Sequence, residues 1–442
     1  MSKIEVNTVA PQCGTTLTLG ESGDTVQLGT GASQSGFGRT GTVDWQTSSI
    51  KTSTFTAVNG QGFFADTSSG GFTMNLPAGT AGNIVSVVDY TNTFQTNGLT
   101  ITPNGSQKIG GTNASVTLST EGQSVTLVYV DDTEGWKNVQ DSTSNVVGAT
   151  FITATGGTIT TSGNCKIHSF TGPGTFCVSS ISNCAANNVV SHVVVAGGAS
   201  GRYGIDGSGG GGAGGFREAK SPVTPYTASP LDGGAPNAIT VTATAFPITV
   251  GAGGSAPTNG AEDGQSGSNS IFSTVTSAGG GGGGQFQAAG AAGGSGGGGG
   301  GRCGNAGGAG NTPPVSPAQG NPGGPSKPQS SPSLDSGGGG GGATGGGGAG
   351  ENDGSPAGRG GTGASTQITG SAVSYAGGGG GSRETYTKGA ASPCGTGGAG
   401  GQDTGCAAAA GSGTANRGGG GGGGTPTGAG GSGIVIIRYK FQ

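Results

Sequence analysis

Charge is what this chain has least of. Only 9% of its 442 residues are Asp, Glu, Lys or Arg, and the net charge is −4. That leaves no electrostatic footprint for nucleic acid or acidic lipid. Aromatic residues make up 5% and apolar residues 30% of the chain, too few for one large packed core. Small β-domains and oligomerisation are therefore expected to share the burial. No stretch of useful length carries a helical period. The longest apolar run, Ile434-Val435-Ile436-Ile437, is far too short to span a bilayer. Met1-Ser2-Lys3-Ile4-Glu5 opens without the apolar region of a secretory signal, so synthesis in a cytoplasm is expected. The seven cysteines are Cys13, Cys165, Cys177, Cys184, Cys303, Cys394 and Cys406. Their odd number, and the lack of any C-x-x-C, argue against a full disulfide framework and a zinc site. Cys394 and Cys406 bracket a short glycine-rich loop and could pair outside a reducing cell; unpaired small side chains are the simpler reading.

Glycine is what the chain has instead. Of 109 glycines, 83 lie between positions 197 and 433. They are gathered into runs at 209–212, 279–284, 296–301, 337–342, 345–348, 377–381 and 418–424. Glycine loses the most freedom on folding, so such runs either recover that cost through dense backbone hydrogen bonding or stay disordered. Glycine and proline without a period favour disorder on composition alone. Consecutive glycines exclude collagen, which needs one at every third position. The remaining reading is a bundle of polyglycine helices with three residues per turn. At ~3.1 Å per residue a six-glycine run then spans about 19 Å.

The junctions favour the ordered bundle. His192-Val193-Val194-Val195-Ala196-Gly197-Gly198, Val275-Thr276-Ser277-Ala278-Gly279-Gly280 and Val373-Ser374-Tyr375-Ala376-Gly377-Gly378 each run a strand into glycine. Phe246-Pro247-Ile248-Thr249-Val250-Gly251 is a looser copy, and the last run feeds back into Ile434-Val435-Ile436-Ile437-Arg438-Tyr439. Strands that share a junction leave one edge of one β-structure; disordered linkers have no reason to be bracketed this way.

Taken in order, residues 1–45 read as short alternating strands, with Thr15-Thr16-Leu17-Thr18-Leu19 and Asp24-Thr25-Val26-Gln27-Leu28 as near-copies. Their apolar surface is too small for a monomer, so a trimeric β-stalk is expected. Residues 46–141 carry strands at about ten-residue spacing between Gly, Asn and Pro, the pattern of a β-sandwich or jelly roll. A linker covers 142–149. Residues 150–442 form a glycine-rich distal domain, with strands within 165–195, 237–250, 269–276 and 434–441 as the base and glycine runs across 209–424.

Catalytic chemistry finds little to stand on. Asp131, Asp132 and Glu134 form the one dense acidic cluster, but neighbouring carboxylates before Gly135 read as a solvated turn rather than a glycosidase pair. No Ser/His/Asp or His/Cys grouping assembles around His168 or His192. Gly-x-Gly-x-x-Gly matches carry no information in such a chain, since no βαβ pattern surrounds them. The expectation is a protein that is not an enzyme, with no catalytic residues, metal or cofactor. Binding fits better. The inserts between runs hold the region's few large or charged residues: Arg202, Tyr203, Phe286, Arg302, Arg383, Glu384, Tyr386, Lys388 and Arg417. Aromatic and Arg side chains make hot spots by stacking and forked hydrogen bonding, and loops on a rigid scaffold are where recognition usually sits. For each, a capping or solvated role is the plain alternative.

Three stretches resemble bacteriophage tail fibres of the marine and cyanobacterial type. They are Ile4-Glu5-Val6-Asn7-Thr8 through Asp24, the segment from Phe72 to Trp136, and the combination of Lys166–Phe176, the strand into Ala196-Gly197-Gly198 and the closing Gly431-Ser432-Gly433-Ile434-Val435-Ile436-Ile437-Arg438-Tyr439. The resemblance implies an all-β, elongated homotrimeric fibre of a virion, assembled in the host cytoplasm. An N-terminal stalk would join tail, baseplate or other virion proteins. A β-base carrying a polyglycine II bundle would present loops to a host-surface saccharide or outer-membrane protein, with no nucleic acid and no membrane insertion. A structural or decorating fibre without a dedicated receptor is the alternative.

Overall fold

The computed structural model describes residues 43–142, 149–204, 207–259, 262–327, 335–351, 355–383, 387–402 and 408–442. The expected stalk, apart from residues 43–45, and nearly all of the 142–149 linker lie outside these. The chain divides into two compact units, Met1–Val147 and Gly148–Gln442. Both are all-β, with no α-helix among the described residues.

In the first unit nine strands follow one another: β1 (Asp44–Trp45), β2 (Phe55–Thr56), β3 (Gln61–Ala65), β4 (Phe72–Asn75), β5 (Ile84–Asp89), β6 (Leu99–Thr102), β7 (Val116–Leu118), β8 (Ser124–Asp131) and β9 (Gly135–Ser142). They form one sheet in the order β1-β3-β5-β8-β9 and another in the order β2-β4-β6-β7. Period-two alternation turns Phe63, Val85, Val87, Val125 and Leu127 of the first sheet toward Met74, Leu99 and Ile101 of the second, closing one core around Trp136. Buried Asp89 stitches the loops below by accepting the N–H groups of Thr93, Phe94 and Gly122 at 3.0–3.1 Å.

The pairing departs from a jelly roll. β1, β3 and β5 pair in parallel, as do β2, β4 and β6. The chain thus coils, giving successive strands to alternate sheets, and turns antiparallel only from β7 onward. A ten-residue strand spacing suits this coil as well as it suits an antiparallel meander, because a coil places every second strand beside its predecessor.

The second unit begins with β10 (Thr153–Thr155), β11 (Thr158–Ser162), β12 (Cys165–Phe170), β13 (Gly174–Ser180) and β14 (Val189–Val195). It continues with β15 (Phe216–Ala219), β16 (Ile239–Thr240), β17 (Ala245–Thr249), β18 (Ser270–Phe272) and β19 (Val275–Ser277). β20 (Ala364–Thr366), β21 (Val373–Tyr375) and β22 (Ile434–Lys440) complete it. One sheet runs β10-β13-β17-β18-β19; the other runs β11-β12-β22-β14-β15, with β16 added to β14; β20 and β21 pair as a hairpin. Phe176, Val190, Val194, Phe272, Val435, Ile437 and Tyr439 fill the space between the sheets. Val193, Val195 and Ile436 point the other way, against Phe216, Ile368 and Tyr375. β14 and β22 are covered on both faces, which is why Val189-Val190-Ser191-His192-Val193-Val194-Val195 and Ile434-Val435-Ile436-Ile437 read as nearly unbroken apolar runs.

Glycine segments leave and re-enter this base. Residue 196 follows β14, 215 precedes β15, 278 follows β19, 363 precedes β20, 376 follows β21 and 433 precedes β22. Their hydrogen bonds repeat every third residue. The N–H groups of 196, 197 and 198 reach the carbonyls of Gly215, Ser268 and Gly431. Those of 199, 200 and 201 reach Gly212, Gln265 and Gly428, and that of 202 reaches Gly209, all at 2.9–3.2 Å. Each partner therefore steps by three as well, and the segments run as struts whose hydrogen bonds recur every third residue.

The strut 207–215 is surrounded. It donates to three neighbours, at Gly338 and Gly341, at Gly421 and Gly418, and at Gly281 and Ala278. Its carbonyls accept from three others: Ala196, Ala199 and Arg202; Ser295, Gly298 and Gly301; Gly379 and Ser382. Six neighbours around one rod is hexagonal packing. At its inner glycines no side chain fits between: a Cβ on Gly210 would collide with the carbonyl of Gly379, and one on Gly211 with that of Ala199.

Candidate functional site

Struts that start at the base must turn back at their far ends, and the turns gather there. Strut 196–202 ends on Arg202, whose N–H donates to Gly209 O at 3.2 Å and whose carbonyl accepts from Gly424 N–H at 3.1 Å. Tyr203 follows, half-buried and bridged to Gly424. The turn after strut 278–284 carries Phe286 and Gln287, and the Gln287 N–H donates to Gly301 O at 3.2 Å. That contact places it beside Arg302, whose guanidinium lies 5.2 Å from the centre of the Phe286 ring. Arg302 Nε also faces Asp335 Oδ2 at 3.3 Å; the aspartate is fully buried and the arginine side chain is 33% exposed. Gly301 N–H in turn donates to Gly207 O at 2.7 Å, tying this pair to the Arg202 turn.

Arg383 closes the other side of the same end. Its backbone bridges Ser336 and Gln402. Its Nη1 donates to the carbonyls of Ser355 and Glu351, the latter at 3.4 Å. Ser382 and Ser208 exchange bonds just beneath, with Ser208 N–H donating to Ser382 Oγ at 2.7 Å and Ser382 N–H to Ser208 O at 2.8 Å. One residue thus holds four distal segments together.

The structure brings Arg202, Tyr203, Phe286, Arg302 and Arg383 to one end, with half-buried Lys388 on the segment returning from it. Tyr386 and Glu384 lie outside the described residues. Three expectations need correction. Arg383 is fully buried and Arg202 nearly so, so both brace the turns instead of offering a free surface. Arg417 sits at the opposite, basal end of strut 418–424, its guanidinium 5.0 Å from the Tyr375 ring. At ~3.1 Å per residue that is about 20 Å from the turns. Residue type and local context suggested exposure for the two buried arginines; only the packing of neighbouring struts, distant in sequence, covers them. Asp335 and Gln287 were missed. Asp335 stands two residues before the 337–342 run, a rare carboxylate at a strut end, which is a signal that could have been used. Gln287 is uncharged and left none.

The other polar groups singled out by sequence make local contacts. Asp131 Oδ1 accepts the N–H groups of Thr133 and Glu134 at 2.8 Å, Asp132 accepts the Tyr129 hydroxyl at 2.5 Å, and Glu134 pairs with Lys137 at 2.7 Å. All three carboxylates are engaged in their own turn. His168 bonds Gly156 O at 2.7 Å and the Tyr439 hydroxyl at 3.1 Å, and burial lowers its pKa. Among the described residues no cluster of three His, Cys, Asp or Glu is placed to hold a metal. Cys394 lies beside Ser392 Oγ (2.8 Å) and Thr396 Oγ1 (3.1 Å). Burial raises its thiol pKa, but hydrogen bonds from Ser392 and Thr396 outweigh that and leave it lowered. It lines a basal cavity of about 300 Å³ with Thr414 and Arg417; its suggested partner Cys406 lies outside the described residues. No helix among the described residues is long and apolar enough to cross a membrane.

A family model described as a glycine-rich domain matches residues 170–440, more than half of the chain. No curated protein matches it.

Proposed function

The chain belongs to the glycine-rich domain family, and from that premise we propose that it is a homotrimeric virion fibre attaching a phage to its host cell. Its struts form a polyglycine II bundle, and the turns at their far end meet the cell surface. The observation that carries this reading is the out-and-back course of the struts, which collects Tyr203, Phe286, Arg302 and the buried brace Arg383 at one end of a rigid array. The three-residue hydrogen-bond period is what supports the polyglycine II assignment. Rigidly held loops bind with less entropy lost than mobile ones. The N-terminal residues join the fibre to tail or other virion proteins, and no catalysis is proposed.

Competition tests the reading. Purified chain added to host cells is expected to block adsorption of particles that carry it, and light scattering to return the mass of a trimer. Undiminished adsorption at saturating chain would favour a structural or decorating fibre. The burial of Arg202 and Arg383, which makes them braces, is the one observation on that side.

A further inference from the structure

Nineteen glycines of the described chain adopt positive φ, Gly304 at φ +67° among them, and seven other residues do so: Asn92, Ser273, Asn311, Ala376, Asn416, Gln287 and Arg302. Gln287 (φ +64°) and Arg302 (φ +78°) occupy the same left-handed region without being glycine. Each costs free energy that a glycine would avoid, and such strain is kept where the side chain is needed. Arg302 has an internal reason in part, since its Nε pairs with Asp335. Its two terminal amino groups find no protein partner among the described residues. Gln287 is exposed, and its side-chain amide has no hydrogen bond among the described residues. Among the described residues nothing explains the pair fully.

We propose that Phe286, Gln287 and Arg302 form a subsite for the carboxylated sugars of an acidic polysaccharide. The proposal deepens the attachment reading and rests on it. The Phe286 ring, half-buried and 5.2 Å from the Arg302 guanidinium, offers a face on which the C–H side of a pyranose stacks. The two terminal amino groups of Arg302 match the two oxygens of a carboxylate, a geometry lysine does not reproduce. Buried Asp335 holds the guanidinium from behind, so less side-chain freedom is lost when the sugar binds. The backbone of Gln287 is anchored next to Arg302 by its N–H bond to Gly301 O, and its side-chain amide supplies a donor and an acceptor for a ring hydroxyl. The patch comprises one ring, one fork and one amide. That suits a saccharide unit better than a protein partner, which needs roughly 800 Å² on each side. A net charge of −4 means that attraction to a polyanion does not come from the chain as a whole.

The full chain is to be tested on immobilised polygalacturonate and polysialic acid, and on the same polymers after reduction of their carboxyl groups. Binding to the acidic forms alone is expected. Arg302→Lys, which keeps the charge beside Asp335 and loses the fork, is expected to weaken it about tenfold. Gln287→Gly removes the amide while relieving the backbone, so the melting temperature should hold or rise as affinity falls severalfold. Equal binding to the reduced polymers, or wild-type affinity in both variants, overturns the subsite. So does a chain that adheres to host cells through a surface protein and ignores both polymers; that result leaves the attachment reading standing.

Discussion

Residues 43–142 bury Phe63, Met74, Leu99, Ile101 and Trp136 between two sheets. Residues 207–215 bury hardly any side-chain atoms and are enclosed by six other backbones. In the first region stability comes from apolar area removed from water, about 25 cal/mol per Å². In the second it comes from satisfying nearly every N–H and C=O at a spacing that only a missing Cβ permits. The two regions should therefore fail in opposite directions. Removing atoms should damage the first, and adding them should damage the second.

The largest effect is expected from adding atoms at the centre of the array. Gly210→Val sets a branched side chain against the Gly379 carbonyl. Overpacking costs ~1–3 kcal/mol in ordinary cores, and the displaced hydrogen bonds add to it. Hydrogen exchange should show loss of protection across the struts while the first unit keeps its own; retained protection would mean that the struts are not close-packed.

Removing atoms from the first unit comes next. Phe63→Ala is expected to cost ~3–5 kcal/mol, read as a lowered melting transition for that unit with the strut amides still protected. Coupled loss of both would erase the distinction.

Acid should separate the units as well, because both histidines belong to the second. His192 is fully buried in β14 against Phe272, with neither ring nitrogen hydrogen-bonded among the described residues. Burial, aided by the charge of Arg217 and opposed by Asp232, holds its pKa down to about 4 from 6.5. The folded histidine stays neutral where the unfolded one is protonated, so stability is lost as pH falls from 6.5 toward 4. The gap corresponds to ~3 kcal/mol. Thermal unfolding at pH 7 and pH 4 should lower the second unit's transition by more than the first's, and His192→Phe should remove the difference.

The smallest effect sharpens the comparison most. Gly346 lies at the exposed edge of the array, where a Cβ would rest 3.4 Å from the Pro322 carbonyl in ordinary contact. Gly346→Ala is expected to be neutral or to stabilise by ~0.4–1 kcal/mol through the unfolded chain. A large loss there would show that the edge is covered by something outside the chain.

Much of this architecture could be read from residue order. Val195-Ala196-Gly197, Ser277-Ala278-Gly279 and Tyr375-Ala376-Gly377 mark places where a strand becomes a strut, because the branched side chains stop where close approach begins. The parallel coil of the first unit could not be read, since strand spacing does not encode which neighbour a strand pairs with. Nor could the burial of Arg383, because the loops it holds at Glu351 and Ser355 lie about thirty residues away along the chain. At the candidate site the aromatic and cationic residues were visible by type, whereas the role of Gln287 emerged only from its backbone angle.

The three-residue period has a consequence for length. Inserting one glycine into 207–215 would rotate everything beyond it by a third of a turn, presenting to Gly421 the group meant for Gly338. Only additions of three, matched in the neighbouring struts, would keep the array in phase. A tract that looks like slippage-prone repetition is in this sense a ruler whose divisions are counted. The turns at its end are free to change length without disturbing the count.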